Sequence, residues 1–145
     1  MPMVQEILAG KGSQVHTVPA AMTVLEATRL MNQHKIGAVV VMEGGRVAGM
    51  FTERDVLSRV VAMEMSPSRS RVGEVMTRDI VCCLPADDID DVSRIMRDRR
   101  IRHLPVVTPR GDLLGLISIG DINAFHASSQ ASQIHLLKDY VYGRV

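Results

Sequence analysis

Aromatic residues are scarce in this 145-residue chain, which contains two Phe, two Tyr and no Trp. Proteins that bind single-stranded nucleic acid stack the bases on aromatic side chains, so this scarcity argues against that class. Basic and acidic residues nearly balance, at 17 and 16, and the net charge of +1 provides no field to attract a polyanion. We therefore expect no nucleic-acid partner.

Long hydrophobic runs and metal-binding cysteine patterns are missing as well. The longest apolar run, residues 36–42, is far shorter than the roughly 18 residues of a membrane span, and Glu6 interrupts any secretory signal core. The two cysteines, Cys82 and Cys83, are adjacent, a spacing that matches neither a redox motif nor a zinc site. These absences predict a cytoplasmic protein with no membrane partner and no metal, whose cysteines are small buried hydrophobic residues.

The most informative feature present is an internal repeat with an offset close to 66 residues. Residues 49–56 (GMFTERDV) return as residues 115–122 (GLISIGDI), and residues 4–8 (VQEIL) return as residues 72–76 (VGEVM). The offset changes only in predicted loops, as expected for a duplication whose loops have drifted. We divide the chain into a first repeat at 3–64, a linker at 65–71, a second repeat at 72–127 and a tail helix at 128–145.

Hydrophobic periodicity orders the elements within each repeat. In the first repeat, Thr23 and Glu26 form a capping box that begins a helix, and Gly37 ends that helix. A hairpin with strands at 38–42 and 47–51 follows. A second helix begins at Thr52, and its apolar face is predicted from Val56, Leu57, Val60 and Val61.

The second repeat has the same pattern, with a helix at 88–100, strands at 104–107 and 113–117, and a helix from Ser118. Each repeat has one open sheet face that must be covered. We therefore predict an α/β fold of two β-α-β-β-α repeats packed about a pseudo-twofold axis, with a short C-terminal helix.

Three segments together carry a family resemblance: the Gly-h-h-Thr/Ser-x-x-Asp motifs at 49–55 and 115–121, and the Arg-His-Leu-Pro-Val sequence at 102–106. Over about residues 3–127 the chain resembles a tandem pair of CBS domains, the Bateman module, of the stand-alone bacterial type. It is similar to the regulatory insert of inosine-monophosphate dehydrogenase without the catalytic barrel. The resemblance implies homodimers that bind adenosine-containing ligands such as AMP, ATP or NAD between the repeats, and no catalytic cofactor.

The two Thr/Ser-x-x-Asp motifs have two interpretations that the sequence leaves open. Thr52 with Asp55, and Ser118 with Asp121, match the signature of a helix N-cap, which is a purely structural role. The resemblance implies that the hydroxyls and helix N-termini also attract phosphate and that the carboxylates accept ribose hydroxyl groups.

The phosphate-binding side chains implied by the resemblance are basic. Arg54 lies beside the first motif where the second has Gly120, so we expect the two clefts to differ in ligand or affinity. Arg102 and His103 follow a basic run at the end of the predicted helix at 88–100, and they are candidates to bind phosphate. The rest of that run is also explained by the helix dipole, which favours cations at a C-terminus.

The resemblance places the adenine base against extended segments formed by Thr17 and Val18, by Ile36, Gly37 and Ala38, and by Cys83. It also implies that Leu104 and Pro105, in the Arg-His-Leu-Pro-Val sequence, belong to the ligand-binding site. Ordinary edge strands ending at Pro19 and Pro85 are the structural alternative. We predict a regulatory module that senses adenine nucleotides and signals to a downstream protein, and we expect no catalysis. The alternatives are a constitutive dimerisation module without a ligand and an enzyme acting on nucleotides.

Overall fold

The computed structural model describes residues 1–12 and 14–128, so the predicted tail helix lies outside the described residues except for residue 128. The helices are α1 (Val4–Lys11), α2 (Val24–His34), α3 (Glu53–Asp55), which continues as a π-helix (Val56–Val61), α4 (Val72–Val75), α5 (Ile89–Arg99) and α6 (119–128). The strands are β1 (Thr17–Pro19), β2 (Ala38–Glu43), β3 (Arg46–Thr52), β4 (His103–Val107) and β5 (Leu113–Ser118). No helix in the described ranges is long and apolar enough to cross a membrane.

The two predicted hairpins are confirmed and are built alike. Strand β2 pairs antiparallel with β3 and parallel with β1, while β4 pairs antiparallel with β5. Cys83 forms a parallel bridge to Val106 and is therefore the counterpart of β1 in the second sheet. The register shifts at equivalent points, after Val41 in one hairpin and after Val106 in the other. The duplication therefore extends to irregularities of the backbone.

Both long helices begin as predicted, and only α2 ends at a different residue. The Thr23 side chain accepts a hydrogen bond from the Glu26 backbone N–H and caps α2. Helix α2 ends at Lys35, which adopts the left-handed conformation with φ 55°, so the prediction that Gly37 ends it is wrong. Arg100 ends α5 in the same conformation, with φ 56°. The C-cap position favours Gly but not strictly, so a search for glycine misplaces the helix end.

Each repeat packs its leading helix on the other repeat. Val4 and Ile7 of α1 lie in the core of the second repeat, and the Val4 N–H donates to the Asp87 carbonyl. Val72 and Val75 of α4 lie in the core of the first repeat. This reciprocal exchange is the contact pattern expected of two repeats related by a pseudo-twofold axis, and it joins them into one unit.

Two equivalent glycines allow the exchanged segments to pass close to the sheets. A Cβ atom at Gly49 would lie 2.5 Å from the Thr77 carbonyl oxygen, and one at Gly115 would lie 2.9 Å from a methyl group of Leu8. Backbone hydrogen bonds join Met50 and Thr77 in both directions, at 2.9 and 2.8 Å. Gly49 is therefore required by the close approach of a backbone atom, whereas at Gly115 the neighbour is the end of a flexible side chain.

The segment after α3 is helical as predicted, but its buried face is narrower. Val60 is fully buried and Val56 packs against the first core, whereas Leu57 is 67% exposed and Val61 is 62% exposed. The apolar face predicted from four residues is therefore wider than the face that touches the core, and two of the four side chains remain on the surface. A second correction concerns the cysteines, because Cys83 is buried but Cys82 is exposed.

Candidate functional site

A cleft of about 1060 Å³ lies between the two repeats. Both repeats contribute the ends of their β-hairpins and the starts of the helices that follow. Its lining includes seven residues predicted from the sequence, namely Gly37, Thr52, Arg54, Asp55, Arg102, His103 and Ser118. The structure therefore brings together side chains that are up to 81 positions apart along the chain, from Gly37 to Ser118.

The first Thr-x-x-Asp motif forms a complete capping box inside this cleft. The Asp55 carboxylate accepts the Thr52 backbone N–H at 3.0 Å, and Thr52 Oγ1 accepts the Asp55 N–H at 3.3 Å. The other carboxylate oxygen of Asp55 accepts a hydrogen bond from Thr77 Oγ1 at 3.0 Å. Arg59 Nε lies 3.7 Å from the oxygen that Thr77 contacts, and the Asp55 side chain is only 5% exposed. Both carboxylate oxygens of Asp55 therefore already have partners within the protein.

The Ser-x-x-Asp motif of the second repeat has the same box but a different third partner. Asp121 accepts the Ser118 N–H at 2.9 Å, and the Asp121 N–H donates to Ser118 Oγ at 3.0 Å. Lys11 Nζ then contacts Asp121 Oδ2 at 2.6 Å and donates to the Leu116 carbonyl at 2.9 Å. We call Thr52, Asp55 and Thr77 the first half of the site, and Ser118, Asp121 and Lys11 the second half.

Lys11 changes the electrostatics of the second half. Partial burial acts to raise the pKa of Asp121, but hydrogen bonds from Lys11 and Ser118 outweigh that effect and hold the pKa below its usual value. Asp121 is thus a carboxylate that already has a cation bound to it.

Several basic side chains line the cleft. Arg54, Arg100 and Arg102 line it, and in the described part of the chain none of them forms an ion pair with a carboxylate. Burial, followed by the charge of Arg102, lowers the pKa of the neighbouring His103. Unpaired guanidinium groups are suited to bidentate contacts with phosphate or carboxylate groups. The cleft can therefore accept an anionic ligand.

Apart from Gly37, the adenine-binding candidates do not line the cleft. Val18, Cys83 and Leu104 are buried in the hydrophobic cores, and Ala38 and Pro105 are buried on their strands. Thr17 is exposed on β1, Ile36 packs against the first core, and Gly120 and Asp121 lie at the start of α6. The Cys83 backbone N–H and carbonyl both bond to β4, so neither is available to a base.

Gly37 is in the cleft for a reason that differs from helix capping. Its carbonyl accepts the Glu53 N–H at 3.0 Å, and a Cβ atom there would lie 3.2 Å from the Glu53 carboxyl group. A side chain at this position would therefore displace Glu53, which also lines the cleft.

Several cleft residues that the sequence did not indicate come from the segment that follows α4. Thr77, Asp79, Ile80 and Val81 line the first half, although they lie in the second repeat. The echo of residues 4–8 in residues 72–76 was the available signal that a leading segment exists, but it does not say which repeat that segment contacts.

Comparison with known proteins assigns most of the chain to one family. A family model for the CBS domain matches residues 6–62 and 72–127. The CBS domain-containing protein YhcV of Bacillus subtilis is 35% identical, with 83% of this chain and 84% of the relative covered. The mitochondrial CBS domain-containing protein CBSX3 of Arabidopsis thaliana is 32% identical, and the match spans 83% of this chain but 61% of that relative.

Solved structures share the fold. A protein with CBS domains from Burkholderia ambifaria is 38% identical with a TM-score of 0.85, covering 89% of this chain and 96% of that one. The CBS domain pair of protein MJ0100, in complex with 5′-methylthioadenosine and S-adenosyl-L-methionine, is 21% identical with a TM-score of 0.78, covering 89% and 98%. A CBS domain protein from Pyrobaculum aerophilum complexed with AMP is 24% identical with a TM-score of 0.74, covering 83% and 89%.

Proposed function

Because the chain belongs to the CBS domain family and carries two such domains in tandem, we propose that it is a regulatory module that binds an adenosine-containing ligand in the cleft between its repeats. The observation that carries this proposal is the cleft itself, whose lining combines a capping box from the first repeat with arginines that form no ion pair in the described part of the chain. AMP, ATP and NAD are the proposed ligands, and the proposed role is regulatory with no catalytic cofactor.

The chemistry of the lining supports a nucleotide with a phosphate group. The arginines Arg54 and Arg102 approach the cleft from different repeats, so an anion bound between them would draw the repeats together. Ile80, Val81 and Ile101 supply apolar surface suited to the face of a base. The two fold neighbours that carry adenosine compounds support the same class of ligand.

The proposed mechanism is a population shift. A ligand that contacts both repeats favours one relative orientation of the repeats, or of two protomers, by its differential affinity for the two states. The proposed output is a contact with a downstream protein, and the proposed compartment is the cytoplasm. We also propose that the protein is a homodimer. The exposed apolar side chains of Leu57, Val61 and Met63, which lie on one surface segment, support this proposal.

That exposed segment also favours a second candidate function, a constitutive dimerisation module that needs no ligand. Thermal unfolding of the nucleotide-stripped protein separates the two candidates. A ligand at one hundred times its dissociation constant adds about 2.7 kcal/mol of stability, which corresponds to roughly 5–10 °C in Tm at this chain length. The panel is AMP, ADP, ATP, NAD, S-adenosylmethionine and GTP, and no shift with any of them would reject the sensor function.

Substitution of Arg102 locates the site. Arg102→Ala should weaken binding of AMP at least tenfold, or about 1.4 kcal/mol, because it removes a cation from the cleft. Arg94→Ala is the matched control, since Arg94 forms an ion pair with Asp91 at 3.1 Å and does not line the cleft. Equal affinities for the two variants would place the ligand elsewhere.

A further inference from the structure

A second groove, of about 520 Å³, adjoins the cleft, and its walls come from helices α5 and α6. It shares part of its lining with the cleft, including three arginines, and it extends beyond the cleft along α5 and α6. We call it the basic groove. Its polar lining consists of Arg54, Ser93, Arg97, Arg100, Arg102 and Asn123.

The basic groove has four arginines and no acidic residue in its lining. Among residues 1–12 and 14–128, none of the four guanidinium groups forms an ion pair with a carboxylate. An arginine keeps its charge at any physiological pH, so loss of a proton cannot relieve the repulsion among them. A bound anion with several negative charges would relieve it.

The other repeat shows that the fold does not require these arginines. Helices α2 and α5 align at an offset of 65, and they end in the same left-handed conformation at Lys35 and Arg100. The repeat offset therefore identifies the equivalent positions. Three of the four arginines have uncharged counterparts, namely Asn32 for Arg97, Gly37 for Arg102 and Gly120 for Arg54.

The dipole of α5 explains only part of the cluster. Arg97 lies in the last turn of α5 and Arg100 is its C-cap, where a cation is favoured. Arg54 lies instead in the first turn of a helical segment, where the dipole favours an anion. Arg102 lies beyond the end of α5. Two of the four arginines therefore have no explanation in helix stability.

We propose that the basic groove binds the terminal phosphates of a nucleoside triphosphate whose nucleoside lies in the cleft. This inference rests on the proposed function and deepens it, because it selects one class among the proposed ligands. The cleft lining includes the carboxylates of Glu53 and Asp79, which disfavour a chain of phosphates, whereas the groove lining has none. Arg97 lines the groove but not the cleft, so it contacts only the phosphates furthest from the nucleoside.

The test compares titrations of ATP and AMP into the full chain by calorimetry, without Mg²⁺ so that the phosphates stay free. Wild type should bind ATP at least tenfold more tightly than AMP, because added charge-assisted hydrogen bonds contribute that much or more. Arg97→Asn should lose most of this preference and bind AMP as wild type does. This variant should fold, because asparagine occupies the equivalent position of α2.

Arg94→Asn is the matched control. It removes the same charge from the same helix, and Arg94 lines neither the cleft nor the groove. It should keep the wild-type preference for ATP. Asn123→Asp supplies an independent variant, because it places a carboxylate in the groove wall and should weaken binding of ATP several-fold without changing that of AMP.

The outcomes separate this inference from the proposed function. Equal affinities of wild type for ATP and AMP, or equal losses of ATP affinity in Arg97→Asn and Arg94→Asn, would overturn the role of the groove and leave the proposed function standing. Inorganic triphosphate tests the groove without a nucleoside. If it binds wild type but not Arg97→Asn while neither nucleotide binds, the groove is a phosphate site and the proposed function is wrong. No binding of either nucleotide or of triphosphate would overturn both.

Discussion

Replacement of Gly49 by alanine tests the close contact between strand β3 and the segment that follows α4. The new Cβ atom would lie 2.5 Å from the Thr77 carbonyl oxygen and 3.0 Å from the Met76 sulfur. Real Cβ atoms do not approach a backbone oxygen that closely, so the Thr77 segment must move. Movement breaks two backbone hydrogen bonds between Met50 and Thr77.

The expected cost follows from those two effects. Overpacking in a core costs about 1–3 kcal/mol, and each lost backbone hydrogen bond costs about 0.5–1.5 kcal/mol. We therefore expect Gly49→Ala to lower the free energy of unfolding by about 2–6 kcal/mol. Gly115→Ala is the matched control, because its new Cβ would meet a flexible Leu8 methyl group at 2.9 Å and not a backbone atom. Its cost should be about 1 kcal/mol.

Urea unfolding followed by circular dichroism measures both variants, with the m-value as a check that unfolding stays cooperative. Because Thr77 also restrains Asp55, Gly49→Ala should weaken AMP binding while Gly115→Ala leaves it close to wild type. Equal losses of stability in the two variants would refute the argument that the Thr77 backbone is pressed against Gly49.

Two further predictions concern charge around the cleft. Arg97 lies in a groove that shares Arg54, Arg100 and Arg102 with the cleft. Arg97→Ala should therefore weaken binding of ATP several-fold and leave binding of AMP unchanged, as measured by calorimetry. An equal loss of affinity for both nucleotides would contradict this prediction. His103 has a lowered pKa in the folded state, so the unfolded state binds more protons below about pH 6.5, and stability should fall as the pH drops from 6.5. Urea midpoints between pH 5 and 7.5 should show a shallower fall for His103→Gln, and parallel curves would exclude His103 as the cause.

Most of the fold was predictable because the repeat presents the same pattern twice. The capping box at Thr23 and the two hairpins follow from local rules on turns, caps and periodicity. The helix end at Lys35 was not predictable by the same rules, because a left-handed lysine carries no local signature and Gly37 offered a more usual one.

The candidate site was predictable only in part. Arg102 and Ser118 line the cleft with Thr52, as the resemblance implied. Thr77 and Lys11 were not found, because their contacts are made by segments that cross to the other repeat. The spacing of residues along the sequence predicts which side chains are neighbours within one helix or strand. It does not predict that the leading segment of one repeat contacts the other repeat, because that contact depends on tertiary packing.

Helices α1 and α4, each of which packs in the core of the other repeat, also set the order in which the chain can fold as it is synthesised. The first core includes Val72 and Val75, so it is incomplete until the ribosome has passed well beyond the end of the first repeat. The second core uses Val4 and Ile7, which are synthesised well before the rest of that core, in the second repeat. Neither half can therefore be released as an independent folding unit, and a break in either is expected to unfold both in one transition.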